Sequence, residues 1–232
     1  MSVSDLDVRA YTVGPVQENC YIVRADGAAK QAVIVDPGEE AERLLAAVDT
    51  LGVTVEAILV THCHFDHIGA VAPIATATGA PVYCPEIERP VLADVMKWVP
   101  PGFGPFESYE ADHTVAGGER LSLAGIDFEV IFTPGHSPGH VTYAAPGALL
   151  SGDVLFQGSV GRVDLPGGDW ATLERSIETL LLAHPAETVV YPGHMGVTTL
   201  GRERDTNPFL SEIRTRVPRA TAATATHATH PA

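Results

Sequence analysis

Apolar residues in the first part of the chain come in short runs separated by Gly, Pro, Asn and Asp. VRAYTV (8–13), NCYIVRA (19–25) and QAVIVDPG (31–38) are apolar or alternating between such punctuation, the pattern of strands joined by turns. The period then lengthens. In EEAERLLAAVDTLG (39–52), Ala41, Leu44, Leu45 and Val48 fall on one helical face, acidic residues open the segment and Gly52 follows it, so a helix is expected. VEAILV (55–60), apolar but for Glu56, reads as a buried strand. HIGAVAPIATATGA (67–80) reads as a helix closed by Gly79, and PVYCP (81–85) as the next strand, a βαβ rhythm.

Residues 86–112 combine a helical stretch with a Pro/Gly/aromatic loop, which is either a lid or contact surface or an ordinary connection. Beyond them the order of strands before helices returns. RLSLAGIDFEVIFT (120–133) and HVTYAAPGALLSGD (140–153) read as strands with turns, WATLERSIETLLLAHP (170–185) as an amphipathic helix, and ETVVYPGH (187–194) as a strand entering a loop. This order implies two sheets face to face with helices outside, although it also permits one mixed sheet. PRATAATATHATHPA (218–232) has no apolar period and is expected to be a flexible tail whose His227 and His230 are incidental. Residues 1–217 are expected to form the folded domain.

Composition narrows the function. The 232 residues suffice for one substantial domain, and 45% hydrophobic content is that of a chain with a real core. A formal charge of −15 with only 14 Lys and Arg argues against a nucleic-acid partner, since phosphate backbones attract clustered cations. An anionic partner would need a locally positive site, which bound divalent metal can supply. MSVSDLDVRAYTV lacks the basic-then-apolar order of a secretory signal, and no apolar run approaches the roughly 18 to 20 residues that span a bilayer. A cytoplasmic protein without membrane attachment is expected. Cys20, Cys63 and Cys84 form no CxxC pair and signal neither a disulfide framework nor a cysteine zinc finger.

The chemistry concentrates in THCHFDHIGA (61–70), directly after VEAILV. In extended backbone His62, His64 and Asp66 share one side while Cys63 and Phe65 face the other; His67 joins them only if the chain turns there. Burying imidazoles and a carboxylate without partners is costly, so a cluster of this kind after a buried strand points to bound cations. It lacks the i, i+4 spacing of an HExxH helix. Further candidates stand where other strands meet Gly-containing turns: His136 and His140 in FTPGHSPGH, Asp153 in LLSGDVLF and His194 in VVYPGHMG. There is no GxSxG elbow, and Cys63 is on the wrong side of its strand to act as nucleophile.

HxHxDH followed by GH, GD and a late GH, in this order across roughly residues 8–212, resembles the metallo-β-lactamase superfamily. GPVQENCYIV, TPGHSPGH, SGDVLFQGSVGRVDLPGGD and TTLGRERDTNPFL are similar to its short glyoxalase-II-like hydrolases. The resemblance implies an α/β fold, a four-layered αββα sandwich of two mixed sheets with outer helices. It implies a two-metal centre in which His62, His64 and His136 hold one ion, Asp66, His67 and His194 the other, and Asp153 bridges them. His140 is not a ligand by that pattern; it either hydrogen-bonds behind the site or packs in the core. Arg162 and Asp164 lie beside the site by analogy, or form a structural ion pair. Zinc is the expected metal, with iron and manganese also suited to imidazole and carboxylate ligands.

The activity so implied is hydrolysis of a small-molecule thioester such as S-lactoylglutathione by a metal-bridged hydroxide, with Asp66 orienting the hydroxide and accepting its proton. Only residues 195–232 follow His194, where long glyoxalase II enzymes carry a helical domain for glutathione. Two alternatives share the motifs. A persulfide dioxygenase would use one iron on His62, His136 and Asp153, and a lactonase would use the same two-metal centre on another ester. β-Lactam hydrolysis belongs to the same fold, though one β-lactamase subclass has Cys where this chain has Asp153. Nothing in these patterns bears on the oligomeric state.

Overall fold

Strand segments of period two and helices of period 3.6 alternate along the chain, and their apolar faces sort into four layers. The computed structural model describes residues 6–217; the tail expected at 218–232, with His227 and His230, lies outside the described residues. β1 (Asp7–Val13), β2 (Glu18–Arg24) and β3 (Gln31–Val35) form an antiparallel meander. α1 (Ala41–Leu51) crosses to β4 (Thr54–Leu59), parallel to β3. α2 (Phe65–Ile68) and α3 (Val71–Thr78) lead to β5 (Val82–Pro85), and α4 (Arg89–Ala93) with a 3-10 turn (Val95–Lys97) leads to β6 (His113–Val115). The first sheet runs β1-β2-β3-β4-β5-β6.

The second sheet is built from β7 (Arg120–Leu123), β8 (Ile126–Phe132), β9 (Val141–Ala145) and β10 (Ala148–Gly152). A small hairpin of β11 (Leu155–Phe156) and β12 (Ser159–Val160) follows, then α5 (Trp170–Ala183), β13 (Val189–Pro192), β14 (Thr198–Thr199), α6 (Leu200–Thr206) and α7 (Ile213–Arg216). Its order is β14-β13-β10-β9-β8-β7, with β13 parallel to β10 through α5. Two mixed sheets rather than one result, as the αββα expectation requires.

Three apolar cores separate the four layers. Tyr21, Val23, Val33, Val35, Leu59, Phe128, Val130 and Tyr143 meet between the sheets. The alternate residues of the first sheet, Ile22, Ile34 and Ile58, pack on Leu44 and Val48 of α1 and Ile74 of α3. Leu149 and Val190 of the second sheet pack on Leu173, Ile177 and Leu180 of α5. β3 and β4 are therefore covered on both faces, which accounts for the apolar runs AVIV (32–35) and AIL (57–59) within them. Among the described residues no helix is long and apolar enough to cross a membrane.

The helix expected over 67–80 is two helices. It begins earlier, at Phe65, and breaks after Ile68 because the amide of Ala70 is taken by the carbonyl of Pro37 at 3.0 Å. Gly79 ends α3 in the left-handed conformation as expected (φ 72°). Segment 86–112 contains α4 and the 3-10 turn and then irregular chain, with Phe103 and Phe106 packed over Phe65.

Two phenylalanines of β8, one mid-strand and one at its end, offer a test. Phe128 lies between the sheets at 1% exposure, whereas Phe132 is 44% exposed. Phe128→Ala should cost about 3–5 kcal/mol of unfolding free energy in a urea titration, and Phe132→Ala under about 1 kcal/mol.

Candidate metal centre

Four segments bring imidazoles or carboxylates to one end of the sandwich, each where a strand gives way to a turn. His62 and His64 follow β4, His136 follows β8, Asp153 follows β10 and His194 follows β13. The parallel strands place their carboxyl ends here, where open α/β sheets gather ligands. The extended alternation expected to run to Asp66 stops at His64. The amide of His67 bonds the carbonyl of His64 at 2.9 Å and closes a helical turn. Asp66 and His67 therefore reach the site from the start of α2, while Phe65 turns away against Phe103. Cys63 also turns away, its Sγ 3.5 Å from Cys84 Sγ in the core.

His62 Nε2 lies 3.0 Å from His64 Nδ1, which lies 2.8 Å from His136 Nε2. The outer nitrogens decide the tautomers. Thr61 Oγ1 donates to Asp36 Oδ2 at 2.6 Å and so accepts from His62 Nδ1 at 3.1 Å. His136 Nδ1 donates to the carbonyl of Arg162 at 2.7 Å. Both rings thus present lone pairs inward, and lone pairs this close repel unless a proton or a cation lies between them. Burial and then the neighbouring imidazoles hold His62 well below the usual histidine range and His64 down to about 4, so the rings are neutral, and the single proton that His64 Nδ1 can carry cannot point squarely at both neighbours. Nitrogens about 2.0–2.1 Å from a tetrahedral zinc stand about 3.3 Å apart, so the donor set suits a divalent cation.

A second group faces the first. His194 Nε2 is 3.2 Å and His67 Nε2 3.8 Å from Asp66 Oδ2. Asp153 stands between the groups, with Oδ1 3.4 Å from His67 Nε2 and Oδ2 3.4 Å from His136 Nε2 and 3.6 Å from His194 Nε2. His67 Nε2 and Asp153 Oδ1 are buried with no properly directed hydrogen bond. Each such atom costs roughly 1–3 kcal/mol uncompensated, and a cation between them would satisfy both. Burial alone would raise Asp153 and Asp66, but facing imidazoles, His67 foremost, outweigh it and hold both carboxyls below their usual range. Burial would likewise lower His67, and the Asp153 and Asp66 carboxylates hold it well above the usual value.

Support lies behind the candidate ligands. His67 Nδ1 meets Asp36 Oδ2 at 3.1 Å, and Asp36 Oδ1 accepts the amide of Thr61 at 2.7 Å. His140 Nε2 accepts the amide of Asp153 at 3.0 Å, so its proton is on Nδ1, shared with Thr133 Oγ1 at 3.1 Å. Of its two expected roles, His140 thus has the hydrogen bond behind the site. Close approach explains two glycines. A Cβ on Gly152 (φ 46°) would stand 2.3 Å from Thr61 Oγ1, and one on Gly193 2.3 Å from Asp153 Oδ1.

Arg162 and Asp164 form an exposed bidentate pair at 2.6 and 2.7 Å; toward the site Arg162 offers its carbonyl. Asp36, Thr61, Asn19 and Tyr21 were not singled out from sequence. Asp36 had a visible signal, since VIVDPG, like LLSGD, puts an acid beside a glycine at the end of an apolar strand. Asn19 and Tyr21 had none; they act by reaching the carbonyl of Pro192 at 3.2 and 2.7 Å, which steadies the loop of His194.

His140→Ala should leave the amide of Asp153 without an acceptor and cost at least about 1–3 kcal/mol in denaturant unfolding, with reduced bound metal by elemental analysis. In chelator-treated protein the histidine contributions to stability should peak near pH 6.5, on a background that falls as pH rises above about 4.5 because burial holds Glu18 above its usual range. His62, His64 and His140 lie below their unfolded value, so their contribution is complete above about 6.5 and lost as pH falls toward the folded values. His67 and His194 are raised, so theirs is complete below about 6.5 and lost as pH rises through the folded values. Urea midpoints across pH 4 to 9 check this, and a profile that rises steadily to pH 9 would contradict it.

Comparison with known proteins agrees with this geometry. The model of the metallo-beta-lactamase superfamily matches residues 13–194. The hydroxyacylglutathione hydrolase GloC of Haemophilus influenzae is 35% identical over 211 residues, covering 89% of this chain and 99% of that protein. The crystal structure of BLEG-1 B3 metallo-beta-lactamase is 41% identical with a TM-score of 0.83, covering 88% of this chain and all of that one. TTHA1623 in a di-iron-bound form is 43% identical with a TM-score of 0.70 and the same coverage. A family match over most of the chain, on the fold and the histidine and aspartate cluster described above, makes this protein a member of the metallo-beta-lactamase superfamily.

Proposed function

We propose that this metallo-hydrolase cleaves thioesters with two divalent cations, one held by His62, His64 and His136, the other by Asp66, His67 and His194, and both touched by Asp153. The observation that carries the reading is the place of Asp153, whose two oxygens face different triads at 3.4 Å. A single iron on His62, His136 and Asp153 would leave the converging Asp66, His67 and His194 without a purpose. Likeness to GloC supports a thioester of the S-lactoylglutathione kind. Zinc suits the ligand set, and the di-iron neighbour keeps iron in view.

When bound, a pair of divalent cations supplies an acidified water and polarises the carbonyl it faces. The chain's residues do the rest. Asp66, exposed to the cavity beside His194 and held ionised, is placed to orient the attacking oxygen and take its proton. Water oxygen bonds to the carbonyl carbon, the carbon–sulfur bond breaks, and the sulfur leaves as a thiol once it receives a proton. The acyl group departs as a carboxylate. His140 and Asp36 hold Asp153 and His67 in register during this cycle.

A second reading, β-lactam hydrolysis, rests on the likeness to BLEG-1 and needs the same attack on an amide carbonyl. Zinc-loaded protein should hydrolyse S-lactoylglutathione faster than a cephalosporin, scored by kcat/KM; the reverse order would favour the second reading. Asp153→Ala should abolish turnover and lower metal content by elemental analysis. If both persisted, Asp153 would not be the shared ligand.

A further inference from the structure

We infer that the substrate carries an apolar body next to its thioester, recognised by a hydrophobic rim around the metal centre; this rests on the thioester reading. A cavity of about 1100 Å³ opens over His64, Asp66, His136, Asp153 and His194. Its mouth gathers Val16, Ile87, Trp98 and Met195, which are 37%, 57%, 53% and 58% exposed. They come from separate stretches: the turn after β1, segment 86–112 and the loop after β13. Leu165 and Pro166 add to the apolar wall. Large side chains left in water and converging on one mouth mark a surface that an apolar partner covers.

Charge on the wall points the same way. Outside the metal cluster the lining holds two charged side chains, Glu88 and Arg162. Glu88 is buried, and its Oε1 accepts from Ser137 Oγ at 2.7 Å and from the amide of Gly139 at 2.8 Å. The guanidinium of Arg162 is held by both oxygens of Asp164. No uncommitted cation is left on the wall for the carboxylates of glutathione or the phosphates of a nucleotide thiol, and the chain as a whole carries −15. An uncharged chain gains from this wall in proportion to the apolar area it covers.

The apolar body can belong to the acyl group or to the thiol, and two substrate series separate these sources. In one, acetyl, butyryl, hexanoyl and octanoyl groups are carried on N-acetylcysteamine. In the other, the acetyl group is carried on ethyl, butyl, hexyl and octyl thiols. With zinc-loaded protein, kcat/KM should rise about two- to fourfold per methylene in at least one series, the scale of a methylene leaving water. The octyl member should exceed S-lactoylglutathione.

Trp98→Ala should reduce the long-to-short kcat/KM ratio in the rising series by about tenfold or more. Calorimetry on chelator-treated protein supplies a readout without turnover: S-octyl-N-acetylcysteamine should bind at least tenfold tighter than the S-ethyl compound. Flat dependence in both series, with hydrolysis intact, overturns the inference and leaves the thioester reading standing. Absence of hydrolysis across both series, with chain-length-dependent binding intact, removes the thioester reading and keeps the apolar rim. Equal binding of the octyl and ethyl thioethers overturns the rim itself.

Discussion

Imidazole nitrogens and carboxylate oxygens crowded within about 3 to 4 Å of one another are the constraint around which the rest of the structure is arranged. His62, His64 and His136 meet at 2.8 and 3.0 Å, and His67 faces Asp153 without a hydrogen bond. Such a cluster keeps its geometry when each ring is held from behind, and it is suited to accept a positive charge in front. The backing is visible. Asp36, Thr61, the carbonyl of Arg162 and the carbonyl of Gln17 occupy outer ring nitrogens, while His140 holds the backbone of Asp153.

These supports come from both sheets, so the site exists only where the sheets meet. The first sheet supplies His62 through His67 and Asp36; the second supplies His136, Asp153 and His194. Asn19 and Tyr21 at the start of β2 cross to the loop after β13, and the amide of Asn19 bonds the carbonyl of Gly193 at 2.7 Å. Gly193 in turn lies against Asp153 and His67 too closely for any side chain. Packing between the sheets and the geometry of the candidate ligands are thus one structural problem, and a metal bound to the assembled site would add to the stability of the fold.

The floor and the walls of the cavity have different origins. Strand ends within the sandwich furnish the floor, where backbone hydrogen bonding leaves little freedom. Segment 86–112 and the stretch from Val160 to Gly167 furnish the walls, outside the two main sheets and free to vary in composition without disturbing the ligands. In this chain they are mostly apolar. A shared floor therefore accounts for membership of the superfamily, and the wall decides what this member accepts.

Much of the plan was legible along the chain. Periods of two and 3.6 located most strands together with α1, α3 and α5, because such patterns reflect which side of an element meets the core. Among the candidate donors, His62, His64, Asp66 and His67 were legible from their density directly after an apolar strand, and His136, Asp153 and His194 because each follows an apolar strand in a Gly-containing turn. Short elements such as β6, the β11–β12 hairpin, α6 and α7 were not, since a few residues carry no period. Nor was the turn at Phe65, which depends on a hydrogen bond between His67 and His64 that local alternation does not encode. Convergence itself belonged to the tertiary structure. Residues as far apart as Asn19 and Met195 touch because two twisted sheets bury their shared face, and no pattern within either sheet states which turns will then stand together.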